Sequence, residues 1–238
     1  MATAEALEIP LAINVAAVFV GALGGAVRAG EDEHVDVVGV LTLAAVMGFG
    51  GGIIRDVLLG NLPPAVLRHP SYVIAALTAA AIGAFFLYYL RKLGKVLWVL
   101  DSLSVGMFAC VGVNAALLAG LSVLPATLIG TVASVGGLIL TDIFQGRPSS
   151  ILHVGPPNAL AGLCGAFAYA LLYNGSHVVV TTVVAIAVTF AVRLTGPLFR
   201  IDVPAPRRHA YELEQKLRAK AAKRRPGAKK IRPDDDQR

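Results

Sequence analysis

The sequence predicts an all-α integral membrane protein of seven transmembrane helices, built as an inverted three-plus-three repeat with a seventh helix outside the duplication. Three observations carry this. The chain is 56% hydrophobic and 15% charged, with a mean hydropathy of +0.70, whereas about 25% of the residues in a soluble domain are charged. Apolar stretches recur at 9–29, 35–60, 70–91, 97–118, 121–145, 156–174 and 177–199, and a helix needs about 20 such residues to cross the hydrocarbon. Last, "GGGIIRDVLLG" at 50–60 aligns with "GGLILTDIFQG" at 136–146, so that Gly50, Gly51, Asp56 and Gly60 fall on Gly136, Gly137, Asp142 and Gly146, each 86 positions later. The first copy lies in the second span and the second in the fifth. Three crossings separate them, so the two units enter the membrane in opposite directions.

Taken in order, the first unit occupies 9–91, the second 97–174, the seventh helix 177–200 and a basic tail 201–238. The leading "MATAEALEIP" carries Glu5 and Glu8 where a cleaved signal peptide would be basic, so the first span is expected to remain in the mature protein. The loop "EDEHVD" at 31–36 has cation-binding residue types without a ligand spacing and reads as a solvated loop. Cys110 and Cys164 sit within apolar spans as buried small side chains, and no metal site is expected. His69 and His153 read as interfacial or loop residues, and the "NGS" at 174–176 as an incidental sequon.

Loop charges set the orientation. Arg28, Arg91, Lys92, Lys95 and Arg147 fall on the side of the C-terminus, against Arg68 on the other, which puts the C-terminus in the cytoplasm and the N-terminus outside. The sequence pI is about 9.5, but residues 207–238 alone carry a net +7 and the remainder −1. The basic balance is therefore local to the tail and gives no reason to expect a nucleic-acid partner. The tail reads as a solvated, topology-fixing segment, with attraction to anionic lipid as the functional alternative.

A glycine inside a helix costs about 1 kcal/mol relative to alanine. Adjacent glycines at Gly50, Gly51, Gly52 and again at Gly136, Gly137 are therefore expected to act as hinges where the second and fifth helices open. Backbone freed in this way must face protein or water, which implies a polar pathway between the repeats. Close helix packing through small residues is the competing reading.

Ionisable residues in the spans point the same way. Arg55, Asp56, Asp101 and Asp142 are costly in hydrocarbon and should face one another or water. Arg55 and Asp56 are consecutive, so their side chains diverge around the helix, and Arg55 is expected to pair with Asp142 or Asp101, or else to snorkel to the surface. Ser102, Ser104, Thr131, Ser134 and Thr141 offer further oxygens to a cation route, unless each bonds its own helix backbone.

"GFGGGIIRDVLLGNLPP" followed by "RHPSY", the weaker "VGGLILTDIFQG", and "DSLSVGMFACVG" in the fourth span together resemble the prokaryotic form of the trimeric intracellular cation (TRIC) channel family. The likeness covers roughly residues 10–200 and excludes the tail. It implies a homotrimer with a potassium-conducting pore in each protomer, kinks at Gly50 to Gly52 and at Gly136 and Gly137, and no cofactor. The second copy has Val135 where a full triple glycine would continue. Proteins of related repeat architecture include a glycine transporter. Three functions follow for test: a monovalent cation channel, a secondary transporter of a small neutral amino acid, and a non-transporting scaffold. No nucleophile and base pair suggests an enzyme.

Overall fold

The structure is a computed structural model and describes residues 9–149, 151, 157–173 and 177–199. Seven long helices cover them: α1 (Leu11–Ala29), α2 (Val37–Leu58), α3 (Pro70–Lys92), α4 (Gly94–Leu118), α5 (Val123–Phe144), α6 (Asn158–Leu172) and α7 (Val178–Phe199), with one helical turn at Ala65–Arg68. Six are long and apolar enough to cross a membrane; α6, at 15 residues, is shorter than the 156–174 span expected for it. The basic tail, His153 and the 174–176 sequon lie outside the described residues.

Local chemistry sets the helix ends. Asp36 caps α2 by accepting the Gly39 N–H at 2.8 Å, and Pro70 opens α3 at a position where no backbone donor is needed. The C-termini of α2 and α5 close identically. Gly60 (φ 71°) and Gly146 (φ 61°) take the left-handed conformation. The N–H of Asn61 then reaches the Asp56 carbonyl at 2.8 Å, and that of Arg147 reaches the Asp142 carbonyl at 2.9 Å. This is the Schellman closure, for which glycine has no Cβ penalty, and it explains why the repeat retains that glycine.

Small residues let the helices approach. Ala17, Ala22, Ala26, Ala44, Ala75 and Ala79 form the core of α1, α2 and α3, while Ala109, Val113, Ala126, Ala166 and Tyr169 form that of α4, α5 and α6. Lipid tails are as apolar as leucine, so close backbone packing rather than hydrophobic burial is what favours these contacts. Tyr169 adds a buried hydrogen bond, its hydroxyl donating to Asn114 Oδ1 at 3.0 Å.

The two three-helix units meet where α2 crosses α5. A β-carbon on Gly51 would strike the Ala133 carbonyl oxygen, and one on Gly137 would strike that of Met47. Met47 and Ala133 are themselves 86 positions apart, as are Gly51 and Gly137. One contact is thus made twice, related by the inverted repeat.

This corrects the hinge expectation. In the structure α2 runs unbroken through Gly50, Gly51 and Gly52, and α5 through Gly136 and Gly137. Non-helical angles inside a described helix occur instead in α3, at Phe86 (φ −112°, ψ 16°). The magnitudes explain the outcome: a glycine costs its helix about 1 kcal/mol, while each backbone group left unsatisfied in hydrocarbon costs several. Close packing of the paired glycines is what the structure displays.

Candidate conduction and binding site

Three faces of α2 do different work. Gly50 and Gly51 press on α5, where a β-carbon on Gly50 would stand 3.1 Å from the Gly137 Cα. Gly48 presses on α1, with the Val18 carbonyl 3.0 Å from its would-be β-carbon. Gly52 faces neither helix: nothing lies within 4 Å of that position, and the residue borders a cavity of about 30 Å³ with Arg55, Asp56, Tyr72 and Phe108. That volume has room for about two water molecules.

At this end of α2 the charges pair locally. Arg55 donates from Nε to Asp56 Oδ1 at 2.8 Å, with Nη2 at 2.7 Å from the same oxygen. Asp56 Oδ2 accepts the Ala65 N–H at 2.8 Å and so anchors the "GNLPP" loop. Both side chains are buried, so the snorkelling alternative does not apply, and neither does the expected partnership with Asp142 or Asp101. The β-carbons of adjacent residues diverge around the helix, but that does not keep their charged ends apart. An arginine is long enough to fold back along its own helix, and a buried guanidinium takes the nearest carboxylate.

The opposite ends of α1 and α5 hold a different arrangement. Arg28 Nη1 donates to Asp142 Oδ1 at 2.7 Å, with Asp142 fully buried. Gln145 Nε2 donates to the Arg28 carbonyl at 3.2 Å, and Arg147 pairs with Glu31 at 2.7 Å. The "EDEHVD" loop therefore serves structure. Glu31 binds across to Arg147, Asp36 caps α2, and the His34 backbone N–H holds the Asp32 carboxyl below its usual range. Among the described residues no cluster of three metal-ligating side chains exists. Asp101 meets Arg193 of α7, Oδ2 to Nη2 at 2.6 Å.

Between α1, α2 and α4 lies a cavity of about 170 Å³, lined by Leu23, Gly24, Arg28, Met47, Trp98 and Asp101 among others. It and the small cavity meet α2 at consecutive residues, Met47 and Gly48. There α1, α2 and α4 pack closely: a β-carbon on Gly21 would stand 3.1 Å from Phe108 and 3.4 Å from the Gly48 Cα.

The hydroxyls expected along a cation route mostly bond their own helices. Ser102 donates to the Trp98 carbonyl, Thr131 to Thr127, Ser134 to Thr131 and Thr141 to Gly137, all within 2.7–2.8 Å. Ser104 instead reaches the Ala17 carbonyl of α1 at 3.4 Å. Thr141 thereby occupies a carbonyl that the hinge expectation would have offered to an ion. Two participants escaped the sequence reading as site residues. In the sequence Arg28 reads only as a topology charge, and the signal for Arg193 is its place within the apolar run "TFAVRLTG".

Comparisons with known proteins fit this geometry. A family model described as glycine transporter matches twice, over residues 11–88 and 98–174, once for each unit. A UPF0126 membrane protein of Deinococcus radiodurans is 33% identical over 59% of this chain, a match spanning 65% of that protein's length. The UPF0126 inner membrane protein YadS of Escherichia coli is 29% identical over 81% of this chain and 93% of its own. A solved TRIC cation channel superposes with a TM-score of 0.74 at 27% identity, covering 83% of this chain and 97% of that one.

Proposed function

Because the chain belongs to the glycine transporter family and has the fold of a TRIC channel, we propose that it is a potassium-permeable channel of a prokaryotic membrane. It acts as a homotrimer with one conduction path in each protomer, between the two units. The observation that carries this reading is the pair of cavities meeting α2 at Met47 and Gly48. Each is lined by an arginine and an aspartate, and Gly21, Gly48 and Phe108 pack together between them. The described state is closed. Opening requires α1 to part from α2 and α4 there. Asp101 lines the larger cavity and Asp56 the smaller, and these acids favour cations over anions along the way.

The N-terminus is assigned to the outside and the C-terminus to the cytoplasm, with the basic tail available to anionic lipid. On that assignment the Arg28–Asp142 end is cytoplasmic and the Arg55–Asp56 end external. A second reading, transport of a small neutral amino acid such as glycine, is favoured by the family's description and by the opposite charges of Arg28 and Asp101 in one cavity.

Planar bilayers containing the purified chain decide between them. A potassium current with a cation-selective reversal potential supports the channel. Saturable glycine uptake by proteoliposomes without ionic current replaces it with the transporter. Light scattering corrected for detergent should give three times the 24.7 kDa chain mass, and a stable monomer would remove the trimer.

A further inference from the structure

Asp101 divides its two oxygens between unlike surroundings. Oδ2 takes Arg193 Nη2 at 2.6 Å, and that guanidinium, 5% exposed, belongs to α7, outside the duplicated units. Oδ1 lies 3.8 Å from where a β-carbon on Gly24 would stand, and Asp101 and Gly24 both line the 170 Å³ cavity. The carboxyl side chain is 31% exposed. The other charge in this cavity, Arg28, donates to Asp142.

Arg193 is itself thinly held. Among the described residues its Nε and Nη1 have no hydrogen-bond partner, its guanidinium carbon lies 5.9 Å from the Trp98 ring centre, and Asp101 is the only acid brought to it. A carboxylate with one oxygen paired behind the wall and the other bordering a cavity keeps part of its attraction for a second cation. The buried partner weakens the potential at Oδ1 without occupying that oxygen's lone pairs.

We infer that Asp101 Oδ1 is a binding station for a monovalent cation, and that Arg193 sets its affinity from outside the cavity by competing for the same carboxylate. The inference deepens the proposed channel reading and takes its physiological sense from it. A single, partly neutralised carboxylate suits a permeant ion, which must bind well enough to enter and weakly enough to leave. Removing the charge of Arg193 deepens the well. Removing that of Asp101 alone abolishes it and strands a buried guanidinium, so the variant lacking both charges is the informative control.

Trp98 lines the same cavity and is the chain's single tryptophan, so its fluorescence reports what enters. Thallium(I), a potassium-sized ion that quenches indole as a heavy atom, is the probe, titrated into the purified full chain with potassium as competitor. Quenching should saturate and be relieved by potassium. In Arg193→Gln the half-saturating thallium concentration should fall roughly tenfold, and Arg193→Lys should return it toward the parent value. In the double variant Asp101→Asn, Arg193→Gln quenching should become linear in concentration, as for collisions alone.

Unchanged half-saturation in Arg193→Gln, or saturable quenching that survives in the double variant, overturns the inference. Relief by glycine but not by potassium also overturns it, in favour of a zwitterion site. Bilayer currents keep the two proposals apart. A parent protein that shows the full titration pattern without current loses the channel and keeps the site, while current with unsaturable quenching loses the site and keeps the channel.

Discussion

The C-terminal ends of α2 and α5 are copies of one another and have diverged in one respect. Both keep the aspartate, at Asp56 and Asp142, and both keep the left-handed glycine four residues on. Both lay a glycine against a carbonyl of the opposite helix. Yet Asp56 pairs with the arginine beside it, whereas Asp142 pairs with Arg28 from another helix of the other unit. At position 141 the counterpart of Arg55 is a threonine, which turns back onto its own helix. The shared features are those that backbone geometry demands. The differing ones are charges, and they make one end a self-contained staple and the other a tie between units.

The largest effect expected from disturbing this symmetry is at the crossing. Gly51→Leu and Gly137→Leu each drive a side chain into a carbonyl of the facing helix, an overpacking that should cost ~3 kcal/mol or more and lower melting temperature and assembly together. Comparable losses in the two variants would fit a contact made twice. A well-folded leucine variant that merely loses current would instead restore the hinge reading.

Next come the acids. Asp56→Asn leaves Arg55 buried beside a neutral partner and should cost about 3–5 kcal/mol in thermal or denaturant unfolding. Asp142→Asn should cost less, about 1–3 kcal/mol, because Arg28 is 28% exposed and can turn to water. The charge swap Arg28→Asp, Asp142→Arg should recover part of what either reversal loses. If Asp142→Asn proves the more damaging to stability, the tie between units is structural rather than releasable, and the contrast drawn above fails.

Smaller again are Gly60→Ala and Gly146→Ala. Both have open space around the added carbon, so the expected cost is the left-handed backbone alone, about 1 kcal/mol each. Unequal melting shifts would break the equivalence of the two helix ends.

The slightest change is Gly52→Ala, which meets no neighbour and should stabilise α2 by about 0.5–1 kcal/mol through helix propensity. If the small cavity is part of the path, current per folded oligomer should fall even so. Unchanged current would take the Gly52 cavity out of it.

Much of the architecture was legible beforehand because it is written as composition and spacing. Hydrophobic runs gave the spans, and an offset of 86 positions brought out the duplication. The glycines stand out in the sequence, but they sit in continuous helices rather than at hinges. Their intrinsic cost can be read from one segment, but the carbonyls of Ala133 and Met47 that make them necessary belong to the other. Charge pairing was the least legible part. Arg55 turned to its neighbour, a choice that rests on side-chain reach within a crowded end of the bundle. Arg193 stands in the helix that has no counterpart in the duplication, so the repeat could not point to it.

The α2–α5 crossing has a further consequence. Each half of it is supplied by the same stretch of a three-helix unit, read in opposite directions through the bilayer, so the surface is its own complement. A lone unit inserted in both orientations would present every group that the contact uses, as two subunits of an antiparallel pair. Covalent linkage through the α3–α4 connection at Leu93 fixes which half faces which way. That fixing is what allows an arginine to be kept at 55 and dispensed with at 141.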